Sequence, residues 1–134
     1  MITGFEEITK PLNEEEQHYV EVLIKAFSTM KKGKDHAITS TFIIDKLKSI
    51  NVDVEGVRLR KLIQHIRVNN LVYGLCSNSN GYFMSENAEE LLSTLKSLKD
   101  RIEMQTSTFK ALKYQYDFMY NHKEDEIKDE NKLF

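Results

Sequence analysis

The side chains best suited to chemistry in this sequence lie in one run, "EGVRLRKLIQHIRV", residues 55 to 68. On a wheel advancing about 100° per residue, Leu59, Leu62, Ile63 and Ile66 form an apolar stripe. The opposite face presents Val57, Lys61, Gln64, His65 and Val68, with Arg58 on one border and Arg60 and Arg67 on the other. These residue types match groove recognition: lysine donates to guanine, glutamine bridges adenine, and valine packs on a thymine methyl. A helix that enters a major groove with its N-terminal residues nearest the bases makes Val57, Lys61 and Gln64 the candidates for base contact. Arg58, Arg60 and Arg67 suit phosphates, joined by Lys46, Lys48 and the hydroxyls of Ser40 and Thr41 upstream. The plainer reading is a solvated basic face, with Arg60 and Arg67 covering the core edge or pairing with an acid.

Other chemistry is poorly represented. His18, His36, His65 and His122 stand at no ligand spacing with one another or with cysteine, so no metal is expected. Cys76 falls among strand formers, where a small buried side chain is the reading. No phosphate-cradling glycine loop, nucleophile turn or spaced carboxylate pair is present, so neither a cofactor nor an enzymatic activity is expected.

The elements around the basic run follow from capping and periodicity. Asn13 and Glu16 make a capping box that opens a first helix from about Asn13 to Lys32, with Val20, Leu23, Ile24 and Phe27 on its inner face. "HAIT" allows only a minimal edge strand. A second helix starts at Thr39 or Ser40 and buries Ile43, Leu47 and Ile50. "NVDVEG" turns the chain, and Asp53 is the expected cap of a third helix over residues 54–69. Two short helices joined by a tight turn make a helix-turn-helix candidate. "LVYGLCS", "NSNG" and "GYFMS" then read as strand, turn and strand.

Ser85 or Asn87 caps a long final helix along which Ala88, Leu91, Leu95, Leu98, Ile102, Gln105, Phe109, Leu112, Tyr116 and Met119 recur in steps of three and four. Such a helix would be about 50 Å long. Its first part can pack on the domain before it. The continued seam through Phe109 and Met119 predicts a coiled coil, with Leu95, Leu98, Ile102, Phe109, Leu112, Tyr116 and Met119 as the dimerisation set. The last stretch, "KEDEIKDENKLF", is charged and expected to be disordered; it can serve as a solubilising end, compete for the basic helix, or offer a partner an acidic strip.

Bulk properties agree with one modest domain plus appendages: 134 residues, 40% hydrophobic and 30% charged. The net charge of −2 is unevenly spread. Residues 1–30 hold two lysines against six acids, while residues 31–73 hold nine Lys or Arg against four acids. Positive potential therefore gathers on the segment with the candidate site. No apolar run reaches the roughly 20 residues of a membrane helix, and no secretory signal opens the chain. With a single cysteine, a cytoplasmic location is expected.

The order helix, short strand, helix, turn, helix, hairpin, helix, together with "LRKLIQHIRVNNLVYGLCSNSNGYFMSENAEELLSTLKSLKDRI" (residues 59–102), resembles the small winged helix-turn-helix proteins of bacteriophages and mobile elements. In these a run like "LRKLIQHIR" precedes a hairpin closing on a Gly-Tyr pair, here Gly81 and Tyr82. The resemblance covers residues 36 to about 103 and implies a mainly α (α+β) winged helix-turn-helix with a small β-hairpin wing. The expected organisation is an N-terminal arm (1–12), the winged domain (13–86), a long dimerisation helix (87–122) and an acidic tail (123–134). The wing tip, Ser77 to Asn80, departs from the DNA-binding pattern because it has no Lys or Arg. The implied function is a dimeric DNA-binding protein, a phage or mobile-element transcriptional regulator or replication accessory, with double-stranded DNA as partner. The alternative is a winged-helix adaptor for a host or phage protein, since such domains also dock proteins.

Overall fold

In a computed structural model of the chain, which describes residues 10–121 and Leu133, Asn13 opens helix α1 (Glu14–Thr29) through the expected capping box. The Glu16 N–H donates to Asn13 Oδ1 at 2.8 Å, and the Asn13 N–H donates to Glu16 Oε1 at 3.1 Å. The helix stops at Thr29, short of the expected Lys32. The Thr29 hydroxyl folds back on the Lys25 and Ala26 carbonyls, and Met30 turns extended. Gly33 then takes a φ of +113° and its N–H donates to the Met84 carbonyl at 2.7 Å. Lys31 and Lys32 consequently lie outside the last turn of α1.

A short 3-10 turn (Lys34–His36) leads to helix α2 (Ser40–Lys48), capped by Thr39, whose hydroxyl accepts from the Phe42 N–H at 3.1 Å. Helix α3 (Gly56–Val68) follows. Both helices close the same way. The N–H of Val52 reaches the Leu47 carbonyl and that of Asn51 the Lys48 carbonyl; Leu71 and Asn70 repeat the pattern on Ile66 and Arg67. This is the Schellman arrangement, and it needs a left-handed residue. Asn51 (φ 63°) and Asn70 (φ 54°) fill that place, as asparagine tolerates it.

The expected cap of α3 is corrected. Asp53 is exposed, and Glu55 occupies the N-cap position without a side-chain hydrogen bond. Val54, at 1% exposure, explains the shift: the chain drives it into the core and starts the helix two residues later.

Strands β1 (Leu75–Asn78) and β2 (Gly81–Met84) form a two-stranded antiparallel sheet in the register Leu75↔Met84 to Asn78↔Gly81. The expected edge strand contracts to Ile38, which exchanges two 2.8 Å backbone hydrogen bonds with Tyr82. The core lies where α1, α2, α3 and the hairpin meet. Tyr19, Val20, Leu23 and Phe27 from α1 pack with Ile43 and Leu47 from α2, with the α3 stripe, and with Leu75 and Met84. Cys76 is wholly buried, as its strand position implied.

Helix α4 (Ala88–Tyr116) starts at the expected Asn87 cap, whose Oδ1 accepts from the Glu90 N–H at 3.0 Å, and a π-turn (Asp117–Asn121) follows it. The backbone clusters into two units, Met1–Leu95 and Lys96–Phe134. Among the described residues no helix is long and apolar enough to cross a membrane. Residues 1–9 of the expected arm and all of the expected tail but Leu133 lie outside the described residues.

Candidate interface on the third helix

The apolar stripe of α3 is buried as its periodicity requires: Leu59, Leu62 and Ile66 have no exposed surface and Ile63 has 2%. The remaining circumference does not divide as the wheel implied. Lys61 was expected on the outward face, yet it is 4% exposed and its ammonium donates to Glu16 Oε1 at 2.9 Å. It is therefore withdrawn from any base contact. A helical wheel places a residue relative to its own helix, whereas this burial is imposed by a second helix, α1, on that flank.

Arg58 joins the same cluster. Its Nε donates to Glu16 Oε2 at 3.2 Å, a terminal nitrogen lies 3.7 Å from Glu15 Oε2, and the guanidinium sits 5.6 Å from the centre of the Tyr19 ring. The Tyr19 hydroxyl donates in turn to Glu15. Burial is the largest influence on the Glu16 carboxyl and pushes its pKa up. The hydrogen bonds from Lys61, from the Asn13 N–H and from Arg58 together outweigh it, so the carboxyl titrates below its ordinary range. For Arg58 burial again leads, opposing the charge, and the hydrogen bond and field of Glu16 reverse it to hold the pKa above its usual value.

Arg67 turns toward the hairpin. Its Nε donates to the Leu75 carbonyl at 3.1 Å, and its guanidinium lies 5.6 Å from the Tyr82 ring centre. The expectation that it covers the core edge describes this placement better than a phosphate contact does. Three of the four cations on α3 are thus engaged within the domain.

The outward residues form a narrower stripe. Arg60, Gln64 and Val68 are exposed and Val57 is half-buried. His65 is half-buried as well, with Asn69 Nδ2 at 3.2 Å from its Nδ1. On α2 the side chains of Ser40, Thr41, Lys46 and Lys48 are exposed, since the capping role falls to Thr39. The Lys46 ammonium stands 5.5 Å from the Phe42 ring centre. The structure therefore brings Arg60, Gln64, Val57 and the α2 residues to solvent and separates Lys61, Arg58 and Arg67 from them.

Sequence reasoning missed Glu16 as more than a capping residue. A signal was present: Glu16 stands in phase with Val20, Leu23 and Phe27, at steps of four, three and four, so it belongs to the buried stripe. A carboxylate there requires cationic partners.

On α4 the residues of the expected seam are uncovered in the single chain. Leu95 is 53% exposed, Ile102 61%, Phe109 65% and Met119, in the π-turn, 60%. Leu98, Leu112 and Tyr116 are exposed too, and Thr94 is the only buried residue of α4. The alternative in which the apolar residues up to Ile102 pack on the domain is not seen in the first turns, where Leu91 and Leu95 are exposed and Thr94 is the buried position; the Cys76 thiol lies 4.0 Å from the Glu90 carbonyl. No protein-family model, curated protein or solved structure matches the chain.

Proposed function

We propose that the chain is a dimeric winged-helix protein that binds duplex DNA, of the phage or mobile-element regulator or replication-accessory kind, through a reduced and phosphate-weighted set of contacts. The observation that carries this reading is the shared exposure of Arg60 and Gln64 on α3 with Lys46, Lys48, Ser40 and Thr41 on α2. In a helix-turn-helix these are the positions that face a groove and its flanking phosphates. The pairing of Ile38 with Tyr82, which ties the segment before α2 to the hairpin, supports the winged form. Gln64 and Val57 supply base preference, and Arg60, Lys46 and Lys48 supply affinity. The exposed seam of α4 supports self-association, which would display two such faces to a pseudo-palindromic site.

The test is a fluorescence anisotropy titration of the full chain with random and selected duplexes across salt concentrations. Three cations per protomer give an expected slope of log K against log salt of about −3 per protomer. Undetectable binding to any duplex at low salt rejects the reading.

The engagement of Lys61, Arg58 and Arg67 inside the domain, together with a wing tip free of Lys and Arg, favours a second reading, an adaptor that binds another protein. Its expected result is a stoichiometric protein complex that survives neutralisation of Arg60 and Lys48.

A further inference from the structure

Beside the α2 and α3 face, helices α1 and α2 enclose an open cavity of about 430 Å³. Its floor is core, formed in part by Leu23, Phe27 and Ile43, and its walls carry Val22 and Ala26 from α1 with Met30 just after it, and Phe42 from α2 with Ile50 just after that helix. Phe42 is 46% exposed and Ile50 55%, so apolar surface at the cavity wall is open to solvent. The charge at the rim has one sign among the described residues: Lys31 and Lys46 line the groove with His36, and no acidic side chain of those residues lines it.

We infer that this groove is a docking site for an acidic amphipathic helix of a partner protein. Length decides for a helix over a small molecule. The helical parts of the two walls, residues 22–29 and 42–48, rise about 10.5 Å and about 9 Å, and Met30 and Ile50 extend each just past its helix end, so both walls are about two turns long. An incoming helix that anchors through its i, i+3 or i+4, and i+7 side chains spans about 10.5 Å. Charge decides for acidic flanks, since Lys31 and Lys46 border the apolar trough and the Lys46 ammonium already lies against Phe42. The α4 seam of a second copy fits this requirement poorly, because Ala88–Tyr116 carries five Lys or Arg against four acids. The groove shares Lys46 with the duplex-binding reading but otherwise uses residues that reading does not, all of them within residues 22–50.

The experiment is an amide NMR titration of the full chain with a synthetic sixteen-residue helical peptide carrying leucines at the three anchor spacings and glutamates on the flanks. A charge-reversed peptide with lysine flanks runs alongside. The expected result is saturable shifts at residues around Val22, Ala26, Phe42 and Ile50, with at least tenfold weaker binding of the lysine peptide. The double variant Lys31→Glu/Lys46→Glu should reverse that preference, and Ile50→Asp should weaken the acidic peptide tenfold or more. All three positions are exposed, and an unchanged circular dichroism melt confirms folding. Equal affinity for both peptides, or shifts confined to α4, overturns the inference. So does displacement of the probe by dodecanoate below millimolar concentration, which would make the groove a small-amphiphile site. Tighter binding by a peptide of residues 122–134 would assign it to the chain's own terminus instead and overturn the partner.

Discussion

The Lys61 ammonium and the Glu16 carboxylate, 45 residues apart in sequence, meet at 2.9 Å with 4% and 2% of their side chains exposed. This contact ties the start of α1 to α3 and removes a cation from the face that its own helix would offer. Removing one member of a buried pair strands the other, at a typical cost of 3–5 kcal/mol. The two truncations are unequal here. Glu16→Ala strands Lys61, weakens Arg58 and opens the capping box, so a loss of about 4 kcal/mol is expected. Lys61→Met leaves Glu16 with Arg58 and the Asn13 N–H, so about 2 kcal/mol is expected. Urea unfolding of both variants and the double variant checks the order; equal costs would mean that Arg58 and the cap contribute nothing.

The same cluster sets an acid dependence. The folded pKa of Glu16 lies below the ordinary glutamate range, so its contribution to stability is complete above that range and is lost as pH falls through the folded pKa. Glu90 acts in the same direction, chiefly because its carboxylate accepts from the N–H of Glu86 and that of Lys34. Thermal melts of the native chain should therefore hold steady from pH 7 to about 5 and fall steeply below. Glu16→Gln should be less stable at pH 7 but flatter with acid, keeping only the part due to Glu90 and other carboxylates. A slope unchanged by the substitution would place the acid sensitivity elsewhere.

Gly81 carries the junction between the hairpin and the segment before α2. Its φ is +122°, and a Cβ there would lie 2.1 Å from the Ile38 carbonyl oxygen, a backbone atom that cannot swing aside. Gly81→Ala must break the Ile38–Tyr82 pairing or distort the turn, at an expected cost of about 3 kcal/mol. The comparison is Gly56→Ala, where nothing lies within 4 Å of the added carbon and the first turn of α3 gains a better helix former. Differential scanning calorimetry should find the first variant well below the native melting temperature and the second at or slightly above it.

On the candidate interface, Arg60→Ala should weaken every duplex alike and reduce the salt slope by about 1, as loss of a phosphate contact does. Gln64→Ala should flatten preference among sites by about 1–3 kcal/mol at one base pair while leaving the salt slope intact. Lys61→Met, corrected for its stability loss, should leave duplex affinity unchanged. Filter binding at several salt concentrations separates the three, and a Lys61→Met defect as large as that of Arg60→Ala would contradict the buried placement.

These cases show which features the sequence exposes and which it conceals. The capping box, the α3 stripe, the hairpin and the Asn87 cap rest on residues within a few positions of one another, so local chemistry reveals them. The minimal strand at Ile38 was also readable, because "HAIT" has room for little else. What stayed hidden depends on two elements meeting: Lys61 looks outward on its own wheel, and only the approach of α1 buries it. The early end of α1 is similar, since the Gly33 bond to Met84 competes with another helical turn. Val54 likewise moves the start of α3 for the sake of the core rather than its own helix.

The seam of α4 gives the last prediction. Leu98, Ile102, Phe109, Leu112 and Tyr116 are 40–65% exposed in the single chain and recur at coiled-coil spacing, with Gln105 the one polar residue among them. A pair of such helices buries the stripe by placing each apolar side chain among four of its partner. Light scattering after size exclusion should therefore give twice the 15.7 kDa chain mass at micromolar concentration. Ile102→Lys with Phe109→Lys should return the chain mass by setting like charges on the seam, while the melt of the Met1–Leu95 unit persists. Gln105→Leu should tighten association and broaden the oligomeric states, because a lone polar seam residue restricts partner number at a cost in stability. A chain mass for the native protein at 100 μM, or a dimer that withstands the double lysine change, would remove α4 as the association surface and with it the paired display of Arg60 and Gln64.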